Sequence, residues 1–366
     1  MKRLKAWWSV GWRVAVCLLL LLWIFHSIFL NDGRLWAQRE GLQWEQMSRG
    51  QQWHLAWSKG PRDLWHTLSL VHPGALLLSV VLVGLALWLG VVRWRLVLKA
   101  QGLELSLARA TRISLVAQFF NAFLLGSTGG DLIKAYYAAR ETHHRKTEAV
   151  TTVFVDRLVG LWAMLLFAGM MMPPNLQMLR QHRQFAVPAL LILAMLAALS
   201  LVLSLAFWGG VTKRFPRARH SLRRLPKGEL LERSLDSCRQ FGKEKVFLVK
   251  AVALSLALNI IWVLQIYVLG GGLDLDIRFK PLLLIVPIIL CIASLPITPN
   301  GLGVRENLFV IMLAAIFVSN TAALSLSLLA SAEGIFWSLI GGVVYMGLRE
   351  KEHLSEVTEG TMAENN

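Results

Sequence analysis

Ser294-Leu-Pro296-Ile-Thr298-Pro299-Asn300-Gly301-Leu-Gly303-Val-Arg305-Glu306 interrupts the apolar region Pro281–Val318 near its middle. Two prolines and two glycines within eight residues cannot continue a helix, because proline removes a backbone N–H and clashes with the preceding turn, and glycine is a poor helix former. The flanking residues are nevertheless as apolar as a membrane span. Non-helical backbone inside a bilayer is tolerated only where it is buried in protein or lines a wet cavity. The stretch therefore marks a membrane protein with a broken helical unit. A helix is expected to restart near Val304, with Glu306 in a first turn whose dipole favours an acid and Arg305 where it disfavours a cation. An arginine placed there wants a carboxylate or a phosphate. Glu306 or another buried acid is one reading, and a phosphate-bearing ligand is the other. Thr298, Pro299, Gly301, Gly303, Arg305 and Glu306 are candidate ligand-binding residues on that ground.

A second break closes the apolar region Ile113–Gly130, in Asn121-Ala-Phe-Leu-Leu-Gly-Ser-Thr-Gly129-Gly130-Asp131-Leu-Ile-Lys134. The glycine pair allows tight turning, and Asp131 falls where a new helix starts. In the plain reading Asp131 is an N-cap and Lys134 a snorkelling lysine. In the functional reading a glycine-lined helix N-terminus offers N–H groups to an anionic head group, with Lys134 one turn away. Asn121, Gly129 and Gly130 join Asp131 and Lys134 as candidates.

Between and around the breaks lie uninterrupted apolar runs: Gly11–Leu30, Gly74–Val92, Ala149–Met172, Phe185–Trp208, Val246–Gly270 and Thr321–Leu348. Each is long enough to cross a hydrocarbon core of about 30 Å. The expected fold is an all-α polytopic integral membrane protein with about six full transmembrane helices and two re-entrant or broken helical units. Its parts are a first transmembrane helix (1–30), a tryptophan-rich interfacial insert (31–73), a membrane domain (74–348) with a basic loop (209–245), and a disordered cytoplasmic tail (349–366). The run Gly11–Leu30 behind a basic N-terminus resembles a secretory signal, but no small-x-small cleavage site follows it.

Composition agrees. Of 366 residues, 55% are apolar and 16% charged, and mean hydropathy is +0.54; soluble domains carry about 25% charge. Disorder, collagen-like repeats and a secreted disulfide scaffold are excluded. Cys17, Cys238 and Cys291 are too scattered for a disulfide framework or a zinc site.

The net charge of +16 is explained by its distribution. The segments assigned to one face hold twenty-five Lys and Arg, eleven of them between Lys213 and Lys245, and the opposite face holds nine. This positive-inside asymmetry places both termini in the cytoplasm of a bacterial-type inner (plasma) membrane. The Ile113–Gly130 region has basic flanks on both sides, so it enters and leaves on the cytoplasmic face. Pro281–Val318 must do so from the outside. One such unit from each face is the pattern of an inverted-topology repeat. The basic loop reads as an orientation signal with attraction to anionic lipid. Nucleic acid is not expected as a partner, since the loop has almost no aromatic residues for stacking.

Four further polar positions fall in apolar runs. Asp156 and Arg157 lie about 10 Å into the helix starting near Ala149, at 1.5 Å per residue. Adjacent helix positions diverge, so they do not pair simply with each other; Arg157 either snorkels or faces the interior near Lys134. Glu333 is a lone acid in the last span, expected to bond between helices or to partner Arg305. Asn259 has the same standing. No Walker A, H-E-x-x-H or G-x-S-x-G context is present, so neither a cofactor nor catalysis by this chain is expected.

In Phe120-Asn121, Gly129-Gly130-Asp131-Leu-Ile-Lys134-Ala-Tyr, Glu148-Ala149, Asp156-Arg157-Leu-Val-Gly160 and Pro296-Ile-Thr298-Pro299-Asn300-Gly301-Leu-Gly303-Val-Arg305-Glu306, the sequence resembles the lysylphosphatidylglycerol synthase transmembrane, or flippase-like, family. Lys134 stands where that family often has arginine, and Asn300 where it often has glycine. The resemblance implies a protein that moves or handles amphiphilic lipids such as aminoacylated phospholipids, isoprenoid-linked sugars or hopanoid-type lipids. The family's namesake carries a cytosolic aminoacyl-transferase domain that this chain is not expected to have. The leading expectation is a lipid translocase whose two broken units meet near the midplane. There Lys134, Arg157 and Arg305 would receive a phosphate-bearing head group, and Asp131, Glu306 and Glu333 would hold those cations when it is empty. The alternative is a non-transporting subunit that scaffolds a soluble glycosyl- or acyl-transferase of envelope-lipid synthesis through its basic loop.

Overall fold

A computed structural model describes residues 42–123, 129–141, 145–207, 245–295 and 303–364, with Phe241, Gly301 and scattered positions between 22 and 40; side chains of the last helix are described to Gly347. Among the described residues there are eleven α-helices and no strand. They are α1 (Arg49–Ser69), α2 (Pro73–Ala100), α3 (Leu107–Phe123), α4 (Gly129–Glu141), α5 (Lys146–Met171), α6 (Leu176–Gln181), α7 (Ala186–Phe207), α8 (Lys245–Gly272), α9 (Phe279–Ala293), α10 (Val304–Leu313) and α11 (Asn320–Glu364).

Five stretches are long and apolar enough to cross a bilayer: Pro73–Ala100, Thr147–Met171, Arg183–Phe207, Val246–Gly272 and Asn320–Gly347. They match five of the six expected spans to within a few residues at most ends. The expected first span, Gly11–Leu30, lies outside the described residues but for scattered positions. Their apolar side chains face outward freely: Leu77, Val187, Leu190 and Val249 are each about two-thirds or more exposed. In water that surface would be costly. In lipid it is the expected outer face.

The two broken regions each resolve into a pair of short helices packed on one another, α3 with α4 and α9 with α10. At 1.5 Å per residue none of the four reaches the roughly 30 Å of a hydrocarbon core. The chain divides into two compact units, with one pair in each.

The first unit comprises Met1–Leu89, Leu158–Ser204 and Val252–Glu333. Its centre is α9, whose Leu282, Leu284, Ile285, Ile288 and Ile289 are all fully buried, as befits a helix apolar on every side. Gly301 precedes α10 at φ +69°, and a Cβ there would lie 2.8 Å from the carbonyl oxygen of Ala293. Only glycine fits both demands. In the same unit, α1 starts at a Ser48 cap whose hydroxyl accepts from Gln51 N, while Gln51 Oε1 accepts from Ser48 N. It buries Ala56, Gly60 and Leu64, packs on Phe29 and Leu324, and turns Trp53, Trp57 and Trp65 outward.

The second unit comprises Gly90–Arg157, Leu205–Ala251 and Gly334–Asn366. Its core gathers Trp94, Leu98, Leu105, Ala110, Ile113, Ala138, Ala149 and Val153. Beyond its apolar span, which ends at Gly347, the backbone of α11 continues to Glu364. Extending a formed helix adds one hydrogen bond per residue without a new nucleus, which lets an apolar span carry a polar sequence with it.

Candidate functional site

The second unit adds a fifth charge, Arg93, to the four candidates Asp131, Lys134, Asp156 and Arg157. Asp156, on α5, is buried and accepts from Arg93 Nε at 2.8 Å. Its other oxygen stands 3.5 Å from Lys134 Nζ. The Lys134 ammonium also sits over the Trp94 ring, 4.2 Å from its centroid. Arg157 donates from Nη1 to Asp131. Consecutive residues of α5 thus serve two different partners, as their divergent directions require. Arg157 does not stay a free snorkelling group, and Asp131 is no N-cap: α4 begins at Gly129, and the carboxylate lies in its first turn against a guanidinium.

Glycine makes this packing possible. The amide of Gly130 donates to Asn121 Oδ1 at 2.8 Å. A Cβ on Gly130 would come within 1.9 Å of the Ala117 carbonyl oxygen, so α3 and α4 touch backbone to backbone. Asn121 and Gly130 are therefore seated as builders of the α4 N-terminus. Among the described residues this cluster sets three cations, Arg93, Lys134 and Arg157, against two carboxylates, Asp131 and Asp156. Burial lowers the Lys134 ammonium from the ordinary lysine value, with Asp156 pulling against that effect and Arg93 adding to it. Asp131 and Arg157 are each about one-third exposed, whereas Arg93, Lys134 and Asp156 are nearly enclosed.

The first unit holds a second, smaller site. Its helix α10 starts at Val304, where the sequence placed it, after Gly303 at φ +83°. Glu306 is fully buried and accepts from Gly303 N at 2.6 Å. It also pairs with Arg305 Nη2 at 3.3 Å, and Ser327 Oγ stands 3.4 Å from the same oxygen. Arg305 Nη2 donates to Ser331 Oγ, which passes its own hydrogen to Ser327 O at 2.7 Å. The buried Arg305 Nε has no hydrogen-bond partner among the described residues. Thr298 and Pro299 lie outside those residues.

Glu333 is seated away from this pair. Its oxygens are taken by Ser79 Oγ and by Gln265 Nε2, the latter at 2.5 Å, so it does not partner Arg305. Asn259 donates to Ser255 O, one turn back on its own helix, at 2.8 Å.

Arg93, Trp94, Ser79, Gln265, Ser327 and Ser331 were missed by the sequence reading. Arg93 follows an apolar run directly and reads as a cytoplasmic flank, and only its partner 63 positions later shows otherwise. No group of three or more His, Cys, Asp or Glu among the described residues could hold a metal ion.

The profile of the family described as lysylphosphatidylglycerol synthase TM region matches residues 52–341, a range that takes in both charged sites. A UPF0104 membrane protein of Methanothermobacter thermautotrophicus is 21% identical over 314 residues, covering 81% of this chain and 93% of the relative. A UPF0104 membrane protein of Pyrococcus horikoshii is 22% identical over 296 residues, covering 75% and 87%.

Proposed function

The chain belongs to the lysylphosphatidylglycerol synthase TM region family, and from that premise we propose that it is a multi-pass lipid translocase that receives a phosphate-bearing head group at the cluster of Arg93, Lys134 and Arg157. The observation that carries this reading is the gathering of Arg93, Lys134 and Arg157, with Asp131 and Asp156, in a largely enclosed site between apolar helices. A cation in hydrocarbon is costly unless paired, so three cations held together there suit an anionic guest that can take over from their carboxylates. A phosphate offers several charged oxygens, to which guanidinium and ammonium donors bond strongly. Asp131 and Asp156 hold the cations between substrates, and the N-terminus of α4 adds its dipole. Arg305, whose buried Nε has no partner among the described residues, is a separate candidate phosphate contact within the first unit. The working membrane is a bacterial-type inner (plasma) membrane with both chain termini in the cytoplasm.

The test is reconstitution of purified protein into vesicles containing fluorescent phosphatidylglycerol, with movement between leaflets read by quenching from outside. The wild type should accelerate movement. Arg157→Ala, Lys134→Ala and Arg305→Ala should each slow it by tenfold or more, and Lys134→Arg should keep it. Folded alanine variants that move lipid at the wild-type rate would sink the assignment.

A further inference from the structure

The carboxyl group of Glu333 differs from the other buried acids in its company. Asp156 faces Arg93 and Lys134, and Glu306 faces Arg305. Glu333 is 2% exposed within a membrane-spanning helix, and among the described residues its carboxyl group bonds only to two neutral side chains, Ser79 of α2 and Gln265 of α8. The portions of these helices within the unit, residues 73–89, 252–272 and 320–333, contain no Lys, Arg, His or second acid. Their other titratable side chain is Tyr267, whose ring packs edge-on against Phe279 at 5.4 Å. The charged pair of α10, Arg305 and Glu306, is engaged as described above. A bare carboxylate without a cation in such surroundings is strongly disfavoured.

Counting hydrogens gives an independent indication. Ser79 Oγ lies 3.0 Å from the carbonyl oxygen of Leu76 and is also bonded to Glu333 Oε1. A hydroxyl has one hydrogen to donate. It cannot satisfy two acceptors at once, so one of these contacts needs a hydrogen from the other side. Leu76 O has none to give. Glu333 has one if Oε1 carries a proton. In that form Oε1–H donates to Ser79 Oγ, Ser79 donates to Leu76 O, and Oε2 accepts from Gln265 Nε2. All three contacts are then satisfied. At Ser331 the competition is weaker: it accepts from Arg305, donates to Ser327 O at 2.7 Å and stands 3.5 Å from Glu306 Oε1, a carboxylate that Arg305 and Gly303 N already serve.

We propose that Glu333 is a proton-binding site that loads and releases one proton during the working cycle, coupling lipid movement to a proton gradient. On release the Oε1–H bond breaks and the proton leaves to water. Ser79 then turns its hydroxyl from Leu76 O to the carboxylate, and Gln265 keeps its bond. The coupling rests on the translocase reading, but the proton site does not.

Infrared difference spectroscopy of the protein in lipid vesicles separates the two. The wild type should show a carboxylic C=O stretching band that vanishes at alkaline pH and shifts in heavy water, and Glu333→Gln should lose it. Identical spectra for the wild type and folded Glu333→Gln overturn the proton site. If Glu333→Gln fails to fold, Ser79→Ala, which removes the acceptor, should shift the band, and an unshifted band is equally fatal. In the vesicle assay an imposed pH gradient should change the rate of fluorescent phosphatidylglycerol movement by the wild type several-fold and leave Glu333→Gln unaffected. Equal gradient responses overturn the coupling. No movement by the wild type overturns the translocase reading and the coupling with it, while the infrared result stands by itself.

Discussion

Asp156 shows how much one side chain can hold. Its two oxygens face Arg93 at 2.8 Å and Lys134 at 3.5 Å, and all three groups are nearly enclosed. Removing one partner of a buried ion pair leaves an uncompensated charge, at a cost of about 3–5 kcal/mol. Asp156→Asn takes the shared carboxylate from two buried cations, so its thermal melting in detergent should fall well below wild type. Adding Lys134→Met removes one stranded charge and should recover part of the loss. A double variant no more stable than Asp156→Asn would show that Lys134 does not depend on this carboxylate. The same residue illustrates what a sequence hides. Asp156 and Arg157 are neighbours in the chain, yet one serves Arg93 and Lys134 and the other Asp131.

At the scale of elements, the close approach of α3 and α4 depends on Gly130. The 1.9 Å left to the Ala117 carbonyl oxygen leaves no room for a methyl group, and backbone cannot swing aside as a flexible side chain can. Gly130→Ala should lower stability by about 1–3 kcal/mol through overpacking and slow lipid movement by displacing the α4 N-terminus. Gly50, in the first turn of α1, has nothing within 4 Å of its missing Cβ. Gly50→Ala should be neutral, or stabilising by up to about 1 kcal/mol from helix propensity. Melting curves of the two variants in parallel would check the contrast, and equal shifts would refute the packing argument. The two breaks were legible as breaks because proline and glycine act locally on the backbone. Their pairing into packed short helices was not, because that depends on side-chain clearances.

For the whole molecule, charge distribution predicts orientation. Cys238 lies in the basic segment between Lys213 and Lys245, which positive-inside reasoning assigns to the cytoplasm. A membrane-impermeant maleimide should label it in inverted vesicles and not in intact cells, and a cysteine placed at Ser58 of α1 should label the other way round. Labelling of Cys238 from outside would reverse the assigned topology. The sequence alone determined that this is an all-helical membrane protein, where five of its spans run, and that two apolar regions are broken, because those facts follow from run length against bilayer thickness and from local backbone chemistry. It also brought most of the charged residues into view as candidates. Only the tertiary structure decided their company: Arg93 beside Asp156, Arg157 on Asp131, and Glu333 with Ser79 rather than Arg305. Ser79 and Glu333 are 254 positions apart. Hydropathy and spacing describe each helix by itself, and a buried charge takes its role from whatever the neighbouring helices bring within bonding distance.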